Sequence, residues 1–162
     1  MPKLSTHDKL SKLSRIPFTK EGFTRLQKKY KKLQENRPAA VRELARAREL
    51  GDLSENGLYT AAKSRLISLD NQIFKIEMTM KFADVIEIHN SNTVQIGSKV
   101  TVLDEGVEVE YQIVGDTETN PKEYKISQHA PIGRALMGKS PGDFAQIHTP
   151  SGKKTIEIKS VN

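Results

Sequence analysis

Two stretches of the chain repeat apolar residues at spacings of three and four positions, which is typical of helices that bury one stripe of side chains. The first stretch covers residues 20–50 and the second covers residues 57–82. If the two helices fold back on each other, the residue numbers at facing positions total 106 or 107, so the chain turns near Leu53. The stripe positions are Phe23, Leu26, Tyr30, Leu33, Arg37, Val41 and Leu44 in the first stretch and Ala62, Leu66, Leu69, Ile73, Ile76 and Met80 in the second.

The pattern therefore predicts an antiparallel coiled-coil hairpin with residues 51–56, Gly-Asp-Leu-Ser-Glu-Asn, as its tip. A helix of about 30 residues is about 45 Å long, longer than a domain of this size needs for its own core. Two explanations of the tip carboxylates Asp52 and Glu55 stay open. After Gly51 ends the first helix, their spacing is that of a capping box for the second helix. Capping does not explain the length of the rod, which favours a tip that reaches a partner.

Three residues of the first helix carry further predictions. Thr19 is a candidate N-cap. Pro38 lies inside the periodic stretch, and the stripe continues beyond it, so we expect the helix to bend there and not to end. Arg37 replaces an apolar residue in the stripe, and an ion pair with Asp70 would fix the register of the two helices.

After position 82 the apolar pattern changes to period two, which predicts strands separated by Gly, Pro and Asn turns. One short helix is predicted at residues 132–137, so the fold class is α+β with a small antiparallel sheet. We expect Tyr111, Tyr124 and Phe144 to form its core. The predicted strands cover 85–88, 100–103, 107–114, 123–126, 145–149 and 155–161. The predicted organisation is a flexible basic tail at 1–16, the hairpin with its acidic tip at 17–84, and the sheet domain at 85–162.

The charge of the chain is concentrated on one arm of the hairpin. Residues 20–50 hold ten Lys or Arg and four Asp or Glu, and their net charge of +6 equals that of the whole chain. A basic helix can be a solvated face, or it can attract a nucleic-acid backbone.

Composition also excludes several classes of protein. No stretch approaches the roughly 18 apolar residues of a membrane span, and the N-terminus lacks the apolar segment of a secretory signal. Cysteine is absent, which fits a reducing compartment, so we expect a cytoplasmic protein. The four histidines are far apart, and no Ser/His/Asp arrangement or phosphate-binding glycine loop is evident.

Several ordered motifs occur at consistent spacing along the chain. The tip segment 51–56 is followed by Tyr59, Ala61, Ala62 and Lys63. The C-terminal half adds Ser127, the segment 131–139, Pro-Ile-Gly-Arg-Ala-Leu-Met-Gly-Lys, and the segment 149–152, Thr-Pro-Ser-Gly. Together these motifs resemble the bacterial Gre family of transcript-cleavage factors, of the GreA/GreB type. The resemblance covers about residues 17–161 and implies a coiled-coil hairpin followed by an FKBP-like domain.

The resemblance implies a transcription elongation factor that binds bacterial RNA polymerase. The hairpin would enter the secondary channel, where Asp52 and Glu55 would help hold a Mg²⁺ of the polymerase active site while the polymerase cuts the 3′ end of backtracked nascent RNA. Mg²⁺ is typically held by one or two carboxylates together with substrate phosphates, so two carboxylates complete a site and do not form one alone. The chain itself would then be no enzyme, would bind no cofactor alone, and is expected to be a monomer.

Other residues receive roles on the same basis. Pro131 and Ile132 match the loop that the family uses on the polymerase, although Ile132 could equally pack into the domain core. The basic residues Arg42, Arg46 and Lys63 would lie along the path of the extruded RNA, or would only be solvated. The tip would be supported by Ser54, Asn56 and Tyr59.

The sequence departs from the family pattern at Gly57, Leu58, Lys29 and Ala130. Two further hypotheses belong to other classes. One is an inhibitor that occupies the polymerase channel, which would need neither Asp52 nor Glu55. The other is a basic coiled-coil module that binds nucleic acid directly, although the hairpin offers no aromatic stacking platform.

Overall fold

The computed structural model describes residues 15–49, 57–87, 92–149 and 152–162. These residues fall into two compact units. One unit is Phe23–Phe82, and the other combines the residues up to Gly22 with Ala83–Asn162.

The first unit is a pair of long helices, α1 (Lys20–Glu49) and α2 (Gly57–Lys81). Two ion pairs join them: Arg37 Nε lies 2.7 Å from Asp70 Oδ1, and Arg65 Nη1 lies 3.1 Å from Glu43 Oε2. Because the partner number on α2 falls as the number on α1 rises, the helices run antiparallel. The predicted hairpin and the predicted Arg37–Asp70 pair are confirmed, and α1 continues through Pro38.

The buried stripe of α1 differs from the prediction beyond Arg37. Ala40 and Ala47 are each only 6% exposed, whereas Val41, which the sequence analysis placed in the stripe, is 40% exposed. The seam therefore continues as an unbroken seven-residue repeat, with Leu44 half-buried between the two alanines. With Ala40 in place of Val41, the residue numbers at each pair of facing positions in the two stripes add up to 106 throughout. The prediction of Val41 was wrong because it weighed side-chain hydrophobicity above the strict repeat of a coiled coil.

The segments just before and just after the hairpin in the chain pair to form a short two-stranded sheet. Strand β1 (Ile16–Thr19) pairs in parallel with β2 (Ala83–Ile86), and Ile16, expected in the tail, is opposite Ala83. Thr19 then caps α1, since its Oγ1 accepts a hydrogen bond from the Gly22 N–H at 3.0 Å. The predicted N-cap is confirmed, whereas strand β1 was not predicted.

The main sheet has five strands in the order β5-β4-β3-β7-β6. All neighbours are antiparallel except β4 and β5, which are parallel. A 3₁₀ turn at Asp116–Glu118 follows β4, and another at Pro121–Glu123 precedes β5. Helix α3 (Pro131–Leu136) follows β5 and packs on the sheet. The strands are β3 (Lys99–Asp104), β4 (Val107–Val114), β5 (Lys125–Ser127), β6 (Phe144–Thr149) and β7 (Gly152–Val161).

The core of this unit is aliphatic, and Leu136 of α3 packs among valines and isoleucines of the sheet. Tyr111 is half-buried against that core, but Tyr124 and Phe144 are 54% and 62% exposed. The prediction that both form the core was therefore wrong. Phe144 alternates with buried Ala145 and so points to the other face of the sheet. Tyr124 lies at the end of a 3₁₀ turn with a φ of 53°.

Candidate functional site

The predicted tip residues Asp52, Ser54, Glu55 and Asn56 lie outside the described residues. The structure describes the two elements that flank them in the chain: α1 ends at Glu49, and α2 begins at Gly57. The roles assigned to these four residues from the sequence stay predictions.

The C-terminal part of α1 carries two exposed arginines, Arg42 and Arg46. Residues four apart on a helix lie on the same face, so both side chains project from one side of α1. Among the described residues neither arginine has an ion-pair partner. Their charge is therefore available to an anion that approaches this face.

Lys63 of α2 is exposed, and it lies near an aromatic ring. Its Nζ lies 6.0 Å from the centroid of the Tyr59 ring, one turn earlier on the helix, at the limit of a cation–π contact. Tyr59 is half-buried and continues the seam of α2 by one more repeat position. The structure thus brings Lys63 and Tyr59 together close to the start of α2.

The two ion pairs between the helices compensate part of the basic charge of the hairpin. The carboxylate of Asp70 accepts hydrogen bonds from Arg37 Nε and Nη2, and these bonds and its charge raise the pKa of Arg37 above its ordinary value. Arg65 is likewise occupied by Glu43. The charge of these two arginines is therefore compensated within the hairpin, in contrast to that of Arg42 and Arg46.

Pro131 and Ile132, predicted to contact the polymerase, form the first turn of α3. Pro131 is exposed at the start of the helix, where its missing N–H costs nothing. Ile132 is half-buried and packs against the sheet core, which is the alternative role that the sequence analysis left open. Gly133 allows α3 to lie this close to Ser127, because a Cβ at position 133 would lie 2.0 Å from the carbonyl oxygen of Ser127.

A polar cluster that the sequence analysis did not find precedes α3. The carboxylate of Asp116 accepts a hydrogen bond from the Ser127 hydroxyl and lies 3.0 Å from Nδ1 of His129. These two hydrogen bonds lower the pKa of Asp116, and the bond from Ser127 has the larger effect. Although the residue types are those of a catalytic triad, the carboxylate lies between serine and histidine, and a base must contact the nucleophile to activate it. The arrangement instead fixes the loop that leads into α3.

Sequence reasoning also missed Glu118, which contacts the start of α1. Its Oε2 accepts a hydrogen bond from the Thr19 N–H at 2.8 Å, and its Oε1 accepts one from the Thr19 hydroxyl at 2.6 Å. A carboxylate is favourable at a helix N-terminus, but these residues are 99 positions apart, and no local pattern reveals the contact. Asp116 and Ser127 are closer in the chain, yet only the parallel pairing of β5 with β4 joins them.

The described residues contain no group of three or more His, Cys, Asp or Glu side chains arranged to hold a metal ion. Within the same part of the chain, no helix combines the length and apolar composition of a membrane span.

Comparison with known proteins matches both units. A family model described as "Transcription elongation factor, N-terminal" matches residues 16–85, and one described as "Transcription elongation factor, GreA/GreB, C-term" matches residues 89–162. Transcription elongation factor GreA of Phenylobacterium zucineum (strain HLK1) is 40% identical over 154 residues, covering 92% of this chain and 98% of the relative. GreA of Maricaulis maris (strain MCS10) is 41% identical over 155 residues, covering 93% and 99%. Among solved structures, the GreA factor homolog 1 (Gfh1) of Thermus thermophilus is 26% identical, covers 91% of this chain and 99% of that chain, and superposes with a TM-score of 0.44.

Proposed function

Because the chain belongs to the GreA/GreB family of transcription elongation factors, we propose that it binds RNA polymerase and stimulates cleavage of the 3′ end of backtracked nascent RNA. The hairpin of α1 and α2 enters the secondary channel of the polymerase and carries the segment between the two helices to the active site. The cleavage activity belongs to the polymerase, and the chain is a cytoplasmic helper that shortens arrested transcripts.

The observation that carries this proposal is the antiparallel hairpin itself. Helix α1 has 30 residues and α2 has 25, which correspond to about 45 Å and about 38 Å of helix. The seven residues between the two helices in the chain include Asp52 and Glu55. The hairpin is longer than its own packing requires. Delivery of two carboxylates to a buried active site explains that length.

The two carboxylates would contribute ligands to a Mg²⁺ that the polymerase holds for the most part, since two such residues are too few for a magnesium site of their own. Asp52 and Glu55 would hold this ion together with the polymerase, and its charge would supply activation of the attacking water and stabilisation of the leaving oxygen in phosphodiester hydrolysis. The task of Asp52 and Glu55 is to offer acceptor oxygens at a fixed position, supported by Ser54 and Asn56.

The remaining predicted site residues contact the polymerase and the RNA. Pro131 is exposed at the start of α3, so it can contact the polymerase directly, whereas Ile132 supports that turn from the core side. Arg42, Arg46 and Lys63 would follow the extruded RNA, where each phosphate contact is modest and sensitive to salt.

The test adds the purified chain to a stalled, backtracked elongation complex with Mg²⁺ and measures the length of the RNA. The proposal predicts shortened RNA that resumes elongation, and no cleavage of free RNA by the chain alone. A channel-occupying inhibitor would slow elongation without shortening the RNA. A nucleic-acid-binding module would bind free RNA tightly in a salt-dependent manner without polymerase. Robust cleavage of free RNA by the pure chain would refute the mechanism, because the active site would then not belong to the polymerase.

A further inference from the structure

The side of α2 that faces away from α1 carries a second stripe, made of uncharged residues. We call it the outer stripe. Its six members recur at alternating spacings of four and three positions, which is the seven-residue repeat of a coiled-coil seam. On a helix of 3.6 residues per turn, they lie about 150° around the axis from the seam that packs on α1. The members are Thr60, Ser64, Ile67, Asn71, Phe74 and Met78.

The outer stripe is apolar and exposed where a surface helix is normally polar or charged. Ile67 is 51% exposed and Phe74 is 63% exposed, so no described element covers them. A groove beside the stripe is formed by side chains of α2 alone, which is the shape that receives a side chain from a second helix. The residues that line this groove are Ser64, Ile67, Ser68, Asn71, Gln72 and Lys75.

The residue types of the outer stripe favour a second copy of the same helix. In a two-fold dimer the same surface serves both copies and must complement itself. A parallel pair does so, because Ile67 faces Ile67, Phe74 faces Phe74, and the two Asn71 amides can hydrogen-bond to each other. One asparagine in an apolar seam fixes register and oligomeric state in coiled coils. An antiparallel pair would place Asn71 against Ile67 and leave its amide unsatisfied.

The charges beside the outer stripe select the same parallel register. Asp70 and Lys75 flank the stripe on its two sides, at the positions that form ion pairs between parallel strands. Lys75 is exposed and has no ion-pair partner among the described residues. The Asp70 side chain contacts Arg37 but stays 41% exposed. A parallel dimer therefore gains two Asp70–Lys75 pairs, whereas an antiparallel dimer brings two Asp70 carboxylates together.

We propose that two copies of this chain associate in parallel through their outer stripes, with Asn71 of one copy facing Asn71 of the other. The six positions span about 27 Å of helix. Because α1 already holds α2 in helical form, association does not first have to order a helix, the step that makes short isolated helices unfavourable. Such a dimer differs from the monomer that the resemblance implied, and its formation does not require polymerase.

Sedimentation equilibrium of the full chain measures the association. We expect the average mass to rise from that of one chain, 18.2 kDa, towards twice that value as the concentration increases from about 1 μM to about 1 mM. Phe74→Lys should raise the dimer dissociation constant about tenfold or more, because it places two like charges in the seam. Val107→Lys is the matched control, since Val107 is 63% exposed on β4 and lies outside the stripe. It should change the constant by less than about twofold.

Single cysteines report the register, because the chain has no cysteine of its own. In the parallel dimer, Ser64→Cys and Met78→Cys should each form a disulfide between the two copies under mild oxidation. In an antiparallel dimer the same side chains would be about 15 Å or more apart, beyond the reach of a disulfide. Lys28→Cys, at an exposed position of α1, is the control and should stay reduced at the same protein concentration.

The outcomes are independent of the cleavage assay, so a failure of the proposed function leaves the dimer standing. A chain that stays monomeric at every concentration would refute the dimer; if Phe74→Lys then weakens polymerase binding, the outer stripe belongs to the polymerase. A dimer that Phe74→Lys and Val107→Lys weaken equally would also refute it. Without disulfides in Ser64→Cys and Met78→Cys, the parallel register is wrong. Melting temperatures of all variants are measured, and the cysteine variants keep the test valid if Phe74→Lys unfolds.

Discussion

A substitution at Gly22 tests how the chain anchors the start of α1. Gly22 lies in the first turn of the helix, and a Cβ at this position would lie 1.5 Å from Oε1 of Glu118 and 2.2 Å from its Cδ. In Gly22→Ala the Glu118 carboxylate must move away, so its two hydrogen bonds to Thr19 are lost. Thr19 is only 4% exposed, so water cannot easily replace the lost acceptor.

The expected magnitude follows from two opposing terms. Alanine is more favourable than glycine inside a helix by about 1 kcal/mol. Hydrogen bonds to charged groups contribute about 1.5–3 kcal/mol each, so losing both costs about 3 kcal/mol even at the lower limit. We therefore expect Gly22→Ala to lower the free energy of unfolding by about 2 kcal/mol, which corresponds to about 4–8 °C in melting temperature for a chain of this size.

Calorimetry of four variants checks this reasoning. In a Glu118→Ala background the obstacle is gone, and Gly22→Ala should become stabilising. Gly57→Ala is the matched control, since a Cβ there meets no atom of the described residues within 4 Å, and it should raise stability by up to about 1 kcal/mol. A Gly22→Ala variant that is stabilised in the wild-type background, as Gly57→Ala is expected to be, would refute the proposed anchoring by Glu118.

Three other predictions concern the hairpin and the loop before α3. In a double-mutant cycle, Arg37→Ala and Asp70→Ala should show favourable coupling that decreases as salt rises; additive effects would contradict the register role. Ala40→Asp should destabilise the hairpin by about 2 kcal/mol or more because it buries a charge, whereas Val41→Thr should change stability by less than about 0.5 kcal/mol; equal effects in urea unfolding would contradict the corrected seam. The pKa of Asp116 is lowered in the folded chain, so its stabilisation is present above the ordinary aspartate pKa and is lost as pH falls through the lowered value. Asp116→Asn should thus lower the melting temperature at pH 7, with the difference shrinking under acid conditions; a pH-independent difference would contradict this assignment.

The long elements could be predicted from the sequence because their signals are periodic and local. The apolar stripes of α1 and α2 predicted the hairpin and which positions of the two helices face each other. The apolar pattern of β4 gave the bounds Val107–Val114 that the structure has. A local pattern also suffices for Thr19, which caps the helix that it directly precedes.

Contacts between distant segments could not be predicted. Strand β1 has only four residues, and its partner β2 lies beyond the whole hairpin, so a period-two pattern this short carries little information. The exposure of Phe144 depends on which face of the sheet it occupies, and a strand pattern alone does not fix that face. Within the candidate site, Asp52 and Glu55 came from a sequence motif, whereas the hairpin seam beside Arg42 passes through Ala40 and not through Val41, a shift of one position that side-chain hydrophobicity did not reveal.

The central claim is that Asp52 and Glu55 act in polymerase-dependent cleavage. It is tested most directly by measuring cleavage of a backtracked complex and thermal stability together for Asp52→Ala and Glu55→Ala. We predict that each variant reduces cleavage to the level of polymerase alone while binding to the polymerase stays close to that of the wild type. If the carboxylates only cap α2, each variant loses about 1 kcal/mol of stability, and cleavage declines only in proportion to the unfolded fraction. Variants that fold and cleave as the wild-type chain does would contradict the account.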